Sequence, residues 1–431
     1  MNNLVTRRTL LGSAMALPLL SACGAGARGT GAVRFEGWDY ESQLVQQNLD
    51  RFSAANTDIK VAYTPITSAQ YVRKIVAEFT GNNGPDVLYS YDDSMASWVQ
   101  AGYLQPIDGL PGVDEVYRGI YEANAQAMTF QGKRYGLPYY TDSHALIYNS
   151  ALLEKAGITT PPKSLDELEQ QALKVKNAGV LQYPIGFGAQ LSDTWASWVW
   201  TLLHGSGEYM FTDDFKPSMA GARGIFDWIH KAATVSKVID PASLQLTPVP
   251  LDNAMMASQY AFTLGPRYAL RMYNDPAKSK QAGMLKLAPV PSLDGTMKGT
   301  VSSTRMYCLS AKTEVKDQAV KLLNFLGGYG TDGTPSTARF WFDQRGLGFP
   351  FKALADDPAV KTALAKFADP EIYNALSTVA KPRNVLGAPW YSEYETAQQK
   401  TVQQLLTNQT DATAATASLS ETALTLAKKY S

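Results

Sequence analysis

Two cysteines and three histidines, Cys23, Cys308, His144, His204 and His230, are all the chain offers for transition-metal binding. A zinc site made of His and Cys cannot readily be assembled from that supply. Charge of one sign is not in excess, with 39 Lys+Arg against 39 Asp+Glu over 431 residues. No whole-chain field therefore draws the protein to nucleic acid or to an anionic bilayer. Charged residues reach only 18% and apolar residues 45%, a globular balance that excludes a disordered or fibrous chain. Catalytic signatures are missing as well: there is no Gly-x-Ser-x-Gly elbow, no Gly-x-x-x-x-Gly-Lys phosphate loop and no His-Glu-x-x-His helix. Nothing calls for a cofactor.

The apolar run Leu10 to Leu20 is interrupted by Gly12, Ser13 and Pro18, and it is too short for a hydrocarbon core of about 30 Å. It reads as part of a signal peptide over residues 1–22, so the chain is expected to be exported. Arg7-Arg8 ahead of it resembles a twin-arginine signal, with an ordinary secretory start as the alternative. Leu20-Ser21-Ala22-Cys23 looks like a bacterial lipobox, which implies lipidation of Cys23 and a membrane anchor. Cys308 then has no disulfide partner, and its setting in Met306-Tyr307-Cys308-Leu309 suggests a buried small apolar residue. Residues 23–31 are Gly-rich and read as a flexible tether. Roughly 409 residues follow the signal, enough for two or three domains of about 150.

What the chain has in plenty is aromatic side chains, with 23 Tyr and 8 Trp. Its first third alternates strand and helix: strands at Val33–Trp38, Ile59–Tyr63 and Asp86–Ser90, helices at Ser42–Asn56 and from Ser68 to about Phe79. That order implies an α/β fold with a mostly parallel sheet covered on both faces, and ligands in such sheets bind beyond the strand C-termini. The loops there read Gly37-Trp38-Asp39-Tyr40 and Ser90-Tyr91-Asp92-Asp93. The pattern changes around Tyr135–Asp142, where an inter-lobe crossing is expected before a new strand at Ala145–Asn149. A helix at Ser164–Lys176, strands at Tyr183–Phe187 and Ala261–Pro266, and the Trp-dense stretch Trp195–Leu203 follow. The extended, Pro-rich Leu287–Pro291 suits a second crossing. Beyond a helix at Val315–Leu326, the chain is mostly helical from Phe351 onward.

Gly84-Pro85-Asp86-Val87, Tyr135-Gly136-Leu137-Pro138, Ala145-Leu146-Ile147-Tyr148-Asn149, Leu152-Leu153-Glu154-Lys155-Ala156-Gly157 and Pro161-Pro162-Lys163-Ser164-Leu165-Asp166-Glu167-Leu168 occur in succession. Together they resemble the extracytoplasmic solute-binding proteins of carbohydrate ABC importers, in the maltose-binding-like branch, over nearly the whole mature chain. The resemblance implies a two-lobed periplasmic-binding-protein fold, each lobe a mostly parallel sheet flanked by helices, joined by a hinge. Lobe 1 is expected over 32–141 and 305–345, lobe 2 over 142–304 and 346–431. It implies a carbohydrate ligand, ABC transporter permease subunits as partners, and a monomeric receptor held at the membrane by its lipid. It places Trp38, Asp39, Ser90, Asp93 and Asp142 at the ligand, with Trp195 or Trp198 near a stacking position of the second lobe. Arg267 stands where maltose-binding relatives have Trp after a Gly-Pro turn, and Arg305 where many sugar binders carry Gly-Gly-Trp.

A sugar presents apolar C–H faces and hydroxyls that both donate and accept, so rings and charged groups suit it. Trp38, Tyr40, Tyr91, Tyr139, Tyr140, Trp195, Trp341 and Trp390 are the candidate rings, and Asp39, Asp92, Asp93 and Asp142 the acceptors. Trp198, Trp200 and Trp228 lie in helical apolar patterns and are assigned to the core. Arg267, Arg305 and Arg345 either clamp an anionic solute bidentately or pair with structural carboxylates. His144 either bonds ligand or is a satisfied hinge histidine. A secreted carbohydrate hydrolase is the competing reading, because Asp93 and Asp142 could form a carboxyl pair. On the receptor reading, Trp38→Ala and Asp142→Ala each weaken binding with little loss of stability.

Overall fold

Strand β1 (Val33–Trp38) is buried along almost its whole length, as a parallel strand covered on both faces should be. This computed structural model describes residues 31–191 and 197–430; the signal segment, Cys23 and Trp195 lie outside the described residues. Strand β1 pairs in parallel with β2 (Val61–Ile66) and β3 (Val87–Tyr91). The connecting helices are α1 (Ser42–Ala55) and α2 (Ser68–Thr80), and α3 (Asp92–Gln100) follows β3. The strand expected at Ile59–Tyr63 begins later and runs through Pro65, which the sheet tolerates because β2 is an edge strand.

A small hairpin, β4 (Thr129–Phe130) and β5 (Lys133–Arg134), leads into β6 (Gly136–Asn149), a strand of 14 residues. The remaining strands are β7 (Phe262–Pro266), β8 (Leu285–Ala288), β9 (Thr300–Leu309) and β10 (Ala380–Lys381). The main sheet runs β2-β1-β3-β9-β6-β7, with β8 also on β6 and β10 on β9. Strand β6 serves two halves of it. From Gly136 to Ser143 it pairs with β9, whereas from His144 onward it pairs with β7 and β8. The partner change falls between Ser143 and His144, and the halves on either side are lobe 1 and lobe 2.

Among the described residues two hydrophobic cores form, and the first runs through the joint, joining Phe35 and Tyr89 to Leu285 and Leu287 of β8. Alternation along β6 sends Ala145 and Ile147 to the first core, shared with Phe35, Tyr89 and Phe342, and Leu146 to the second, shared with Trp198, Trp200 and Trp228. The three Trp rings assigned to the core from their helical setting are buried there, and their indole N–H groups donate to Gly188 O, Gln398 Oε1 and Leu165 O. Cys308 is buried on β9, and burial pushes its thiol pKa up.

Two expected elements are corrected. Leu287–Pro291 does not begin as a crossing: Leu285–Ala288 is β8, hydrogen-bonded to the second half of β6. Tyr183–Phe187 forms no strand, only isolated bridges at Ile185 to Ile239 and Phe262. A third segment passes the joint at Gly348, whose carbonyl accepts from Thr141 N at 3.0 Å. A Cβ there would lie 2.0 Å from Thr141 O, so only glycine allows this approach.

Candidate functional site

The strand ends of lobe 1 bring the expected rings together, but against one another. Trp38, at the end of β1, stacks on Tyr91 at the end of β3, with centroids 4.6 Å apart and planes at 16°. Tyr139 stacks on Tyr89 at 4.7 Å and meets Tyr140 and Trp341 edge-on at 4.9 and 5.2 Å. Gly37 makes room for this, since a Cβ there would come within 2.3 Å of the Tyr89 ring. A bulge helps aim the rings: Pro138 faces Met306 and Tyr140 faces Arg305, leaving Tyr139 as the extra residue. Trp38 is 4% exposed and Trp341 is buried, whereas Tyr40 is 38% exposed and lies 6.5 Å from Trp341.

Every arginine singled out from the sequence has a carboxylate partner. Arg267 Nε donates to Asp142 Oδ1 at 3.0 Å, while Asp142 also accepts from Tyr268 N and Ser143 N at 2.9 and 2.8 Å. Burial raises the Asp142 pKa, and Arg267 acts to lower it. Arg267 is fully buried; it also donates to Tyr373 O and, at 2.7 Å, to Ser377 Oγ. Arg305 lies over the Tyr91 ring at 4.6 Å and donates to Asp92 Oδ1 at 3.2 Å. Arg345 forms a fork on Glu41, Nε to Oε1 and Nη2 to Oε2 at 2.8 Å. Glu41 has a left-handed backbone, φ 52°, a conformation that costs about 1–3 kcal/mol in a non-glycine residue and collects at functional loops.

The other candidates have mixed fates. Asp39 caps the start of α2, accepting from Ser68 N and Oγ at 3.1 and 3.0 Å, and remains at the surface. Ser90 is buried and its hydroxyl donates to Tyr91 O. Asp93 faces Arg383 at 3.6 Å. Trp390, 4% exposed like Trp38, lies apart from the lobe 1 rings and packs against Phe211 and Tyr394 in the second core. His144 resolves as a hinge histidine, its Nδ1 3.2 Å from Thr201 Oγ1, and burial drives its pKa down to about 3.

Sequence reading missed the residues that tie the lobes together. Arg383, just after β10, reaches Glu395 Oε1 at 3.0 Å and Asp92 Oδ1 at 3.5 Å, so one guanidinium joins the two sides of the joint. Asp92 also accepts from Thr304 N at 2.8 Å. Arg271, after β7, donates to Phe342 O and Asp343 O at 2.8 Å each, at the C-terminal end of helix Ser336–Arg345, where a cation is favoured. Arg383 sits in Lys381-Pro382-Arg383-Asn384 and Arg271 between Leu270 and Met272, and no motif marks either.

Comparison with known proteins agrees with this architecture. Residues 38–331 match the family described as bacterial extracellular solute-binding protein. A binding protein of Brucella abortus is 23% identical over 276 residues, 64% of this chain and 66% of that one, so the match spans just under two thirds of that relative. A lipoprotein of Streptomyces antibioticus is 26% identical over 339 residues, 74% of this chain and 72% of its own. Among solved structures, maltose-bound MalE3 of T. maritima superposes with a TM-score of 0.75 at 20% identity, covering 92% of this chain and 99% of that one. An ABC transporter solute-binding protein of Agrobacterium radiobacter in complex with ribitol gives 0.76 at 17%, covering 92% and 99%. The two-lobed α/β fold implied by the sequence is therefore the fold observed, and the chain belongs to the bacterial extracellular solute-binding protein family.

Proposed function

We propose that the chain is a monomeric, non-catalytic receptor that binds a neutral sugar, oligosaccharide or polyol at its inter-lobe joint and passes it to the permease subunits of an ABC importer. The observation that carries this reading is the change of partner along β6, from β9 to β7 and β8, with aromatic and carboxylate residues gathered beside it. Ligand contacting both sides would stabilise the closed arrangement, because only that arrangement offers both sets of contacts. The maltose and ribitol complexes of proteins with this fold support a polyhydroxylated ligand.

Neutrality follows from the ion pairs. An anionic solute would have to displace Asp142 or Asp92 from its arginine, and breaking a buried pair costs about 3–5 kcal/mol, whereas the Arg345–Glu41 pair is about a third exposed and resists less. The same pairs weigh against a hydrolase, since Asp142 is held by Arg267 and Asp93 faces Arg383. In this reading Trp38, Tyr40, Tyr91, Tyr139, Tyr140, Trp195 and Trp341 supply ring surface, and Asp39 and Asp93 accept from hydroxyls. The lipobox at Leu20–Cys23, together with the Streptomyces relative being a lipoprotein, supports export and anchoring through Cys23.

Thermal shift against neutral sugars and polyols, paired with their acidic and phosphorylated counterparts, tests the reading. A ligand at 100 times its Kd adds about 2.7 kcal/mol. Shifts with neutral members and recovery of chemically unchanged ligand are expected; binding of only the anionic members, or cleavage of a glycan, overturns it.

A further inference from the structure

The C-terminal end of helix Ser336–Arg345 is gripped from the second half of the sheet. Arg271, on the short helix Ala269–Tyr273 that follows β7, donates from Nη1 to Phe342 O and from Nη2 to Asp343 O, both at 2.8 Å. The last carbonyls of a helix have no partner in the helix itself, so the fork satisfies groups that would otherwise turn to water. Gly346, with φ 70°, ends the helix and lets the arginine lie against it: a Cβ there would come 2.6 Å from Arg271 Cδ. Nearby Asn274 ties this segment to β8, its Nδ2 donating to Leu285 O at 2.8 Å.

The same helix end holds the loop after β1. Arg345, its last residue, forks on Glu41, and the buried Trp341, one turn earlier, has its ring centroid 6.5 Å from that of Tyr40. Tyr40 is therefore placed twice by one helix, its ring by Trp341 and the residue after it by Arg345. Glu41 in turn starts α1, its carbonyl accepting from Leu44 N at 2.8 Å and from Val45 N at 3.1 Å. Its left-handed backbone is unfavourable for a residue with a Cβ, so the loop keeps this shape only while its partners hold it. Tyr40 is the most exposed of the described rim rings, and it has the least packing of its own to fix it.

We infer that, on the receptor reading proposed above, Arg271 is a positioning residue for solute binding: it fixes the end of helix Ser336–Arg345 to the second half of the sheet, and that helix fixes Tyr40 at the rim. Its effect on the solute runs through Tyr40. Links in such a chain are non-additive, because once the last one is removed the earlier ones have nothing left to hold.

Calorimetry of the full chain with maltose, ribitol and mannitol, in a double-mutant cycle of Arg271→Ala and Tyr40→Ala, tests this together with hydrogen exchange of the solute-free chain read by mass spectrometry. Arg271→Ala should weaken binding of a probe about fivefold, and the double variant should bind no more weakly than Tyr40→Ala alone, whereas a direct solute contact would multiply the two losses. Exchange in the peptide holding Leu44 and Val45, whose amides bond Glu41 O, should quicken about threefold or more in Arg271→Ala, with β3 unchanged. Arg345→Gln, which cuts the next link, should reproduce both effects. Wild-type affinity in Arg271→Ala, or losses that multiply, would overturn the positioning role and leave the receptor reading standing. Faster exchange throughout the chain would mean a general loss of fold and would overturn it too. No saturable binding of any probe by the wild type would overturn the receptor reading and, with it, the role of Arg271 in binding.

Discussion

Arg267 meets Asp142 with Nε 3.0 Å from Oδ1, and neither side chain exposes more than 3% of its surface. Asp142 lies on the stretch of β6 shared with β9, and Arg267 follows directly on β7, so the pair spans the point where β6 changes partners. Removing either partner leaves a charge buried without its counterion.

Asp142→Ala is therefore expected to cost about 3–5 kcal/mol of stability, which revises the small loss anticipated from sequence. Urea denaturation of Asp142→Ala checks this, and a midpoint equal to wild type would show that the pair is not structural. Asp142→Leu with Arg267→Met should recover much of the loss, since neither charge then remains buried.

Trp38 and Tyr40 should separate stability from binding. Trp38 is wedged among Tyr71, Tyr89 and Tyr91, so Trp38→Ala should cost about 3–5 kcal/mol and cannot report on ligand alone. Tyr40→Ala should change stability by about 0.5 kcal/mol or less and weaken solute binding by about 1 kcal/mol. Chemical denaturation and calorimetry of the two variants measure both quantities; equal stability losses would contradict the packing difference.

Glu36 gives an alkaline limb. It lies buried on β1, and burial, then hydrogen bonding to Glu78 and repulsion from it, raise its pKa to about 8 against the countering charges of Lys74 and Arg34. Its folded pKa exceeds the unfolded value, so its contribution is complete below about 4.5 and is lost as pH rises to about 8. Glu36→Gln should flatten stability between pH 5 and 9 and stabilise the protein at the alkaline end. Thermal unfolding across that range checks it; an unchanged pH profile would contradict the protonated carboxyl.

His144 gives the opposite limb. Burial, with Arg383, Arg305 and Arg267 nearby, holds its pKa at about 3. The neutral ring is stabilising above pH 6.5, and that contribution is lost as pH falls toward 3. His144→Gln should reduce the acid sensitivity of unfolding between pH 6 and 4, read by circular dichroism; a steeper acid limb in the variant would contradict the assignment.

Much of the scaffold was legible because it is written in local pattern. Leu165, Leu168, Ala172 and Val175 recur at helical spacing, and the structure adds Ser164 as the cap, its Oγ accepting from Glu167 N at 3.0 Å. Leu287–Pro291 misled because its prolines look like a linker, while β8 ends at Ala288 before they matter. At the site, Trp38 and Tyr91 from the ends of β1 and β3 stack on one another, while Trp390 packs in the second core, a partner choice no local pattern sets.

What the sequence by itself determined is the kind of material: alternating strands and helices, aromatic and acidic strand ends, and a charge total of zero. Only the tertiary structure decided which charges meet. Arg383 and Glu395 are separated by twelve positions, but Arg383 and Asp92 by 291, and such partners are chosen when packed sheets exclude water and leave a buried guanidinium needing the nearest carboxylate.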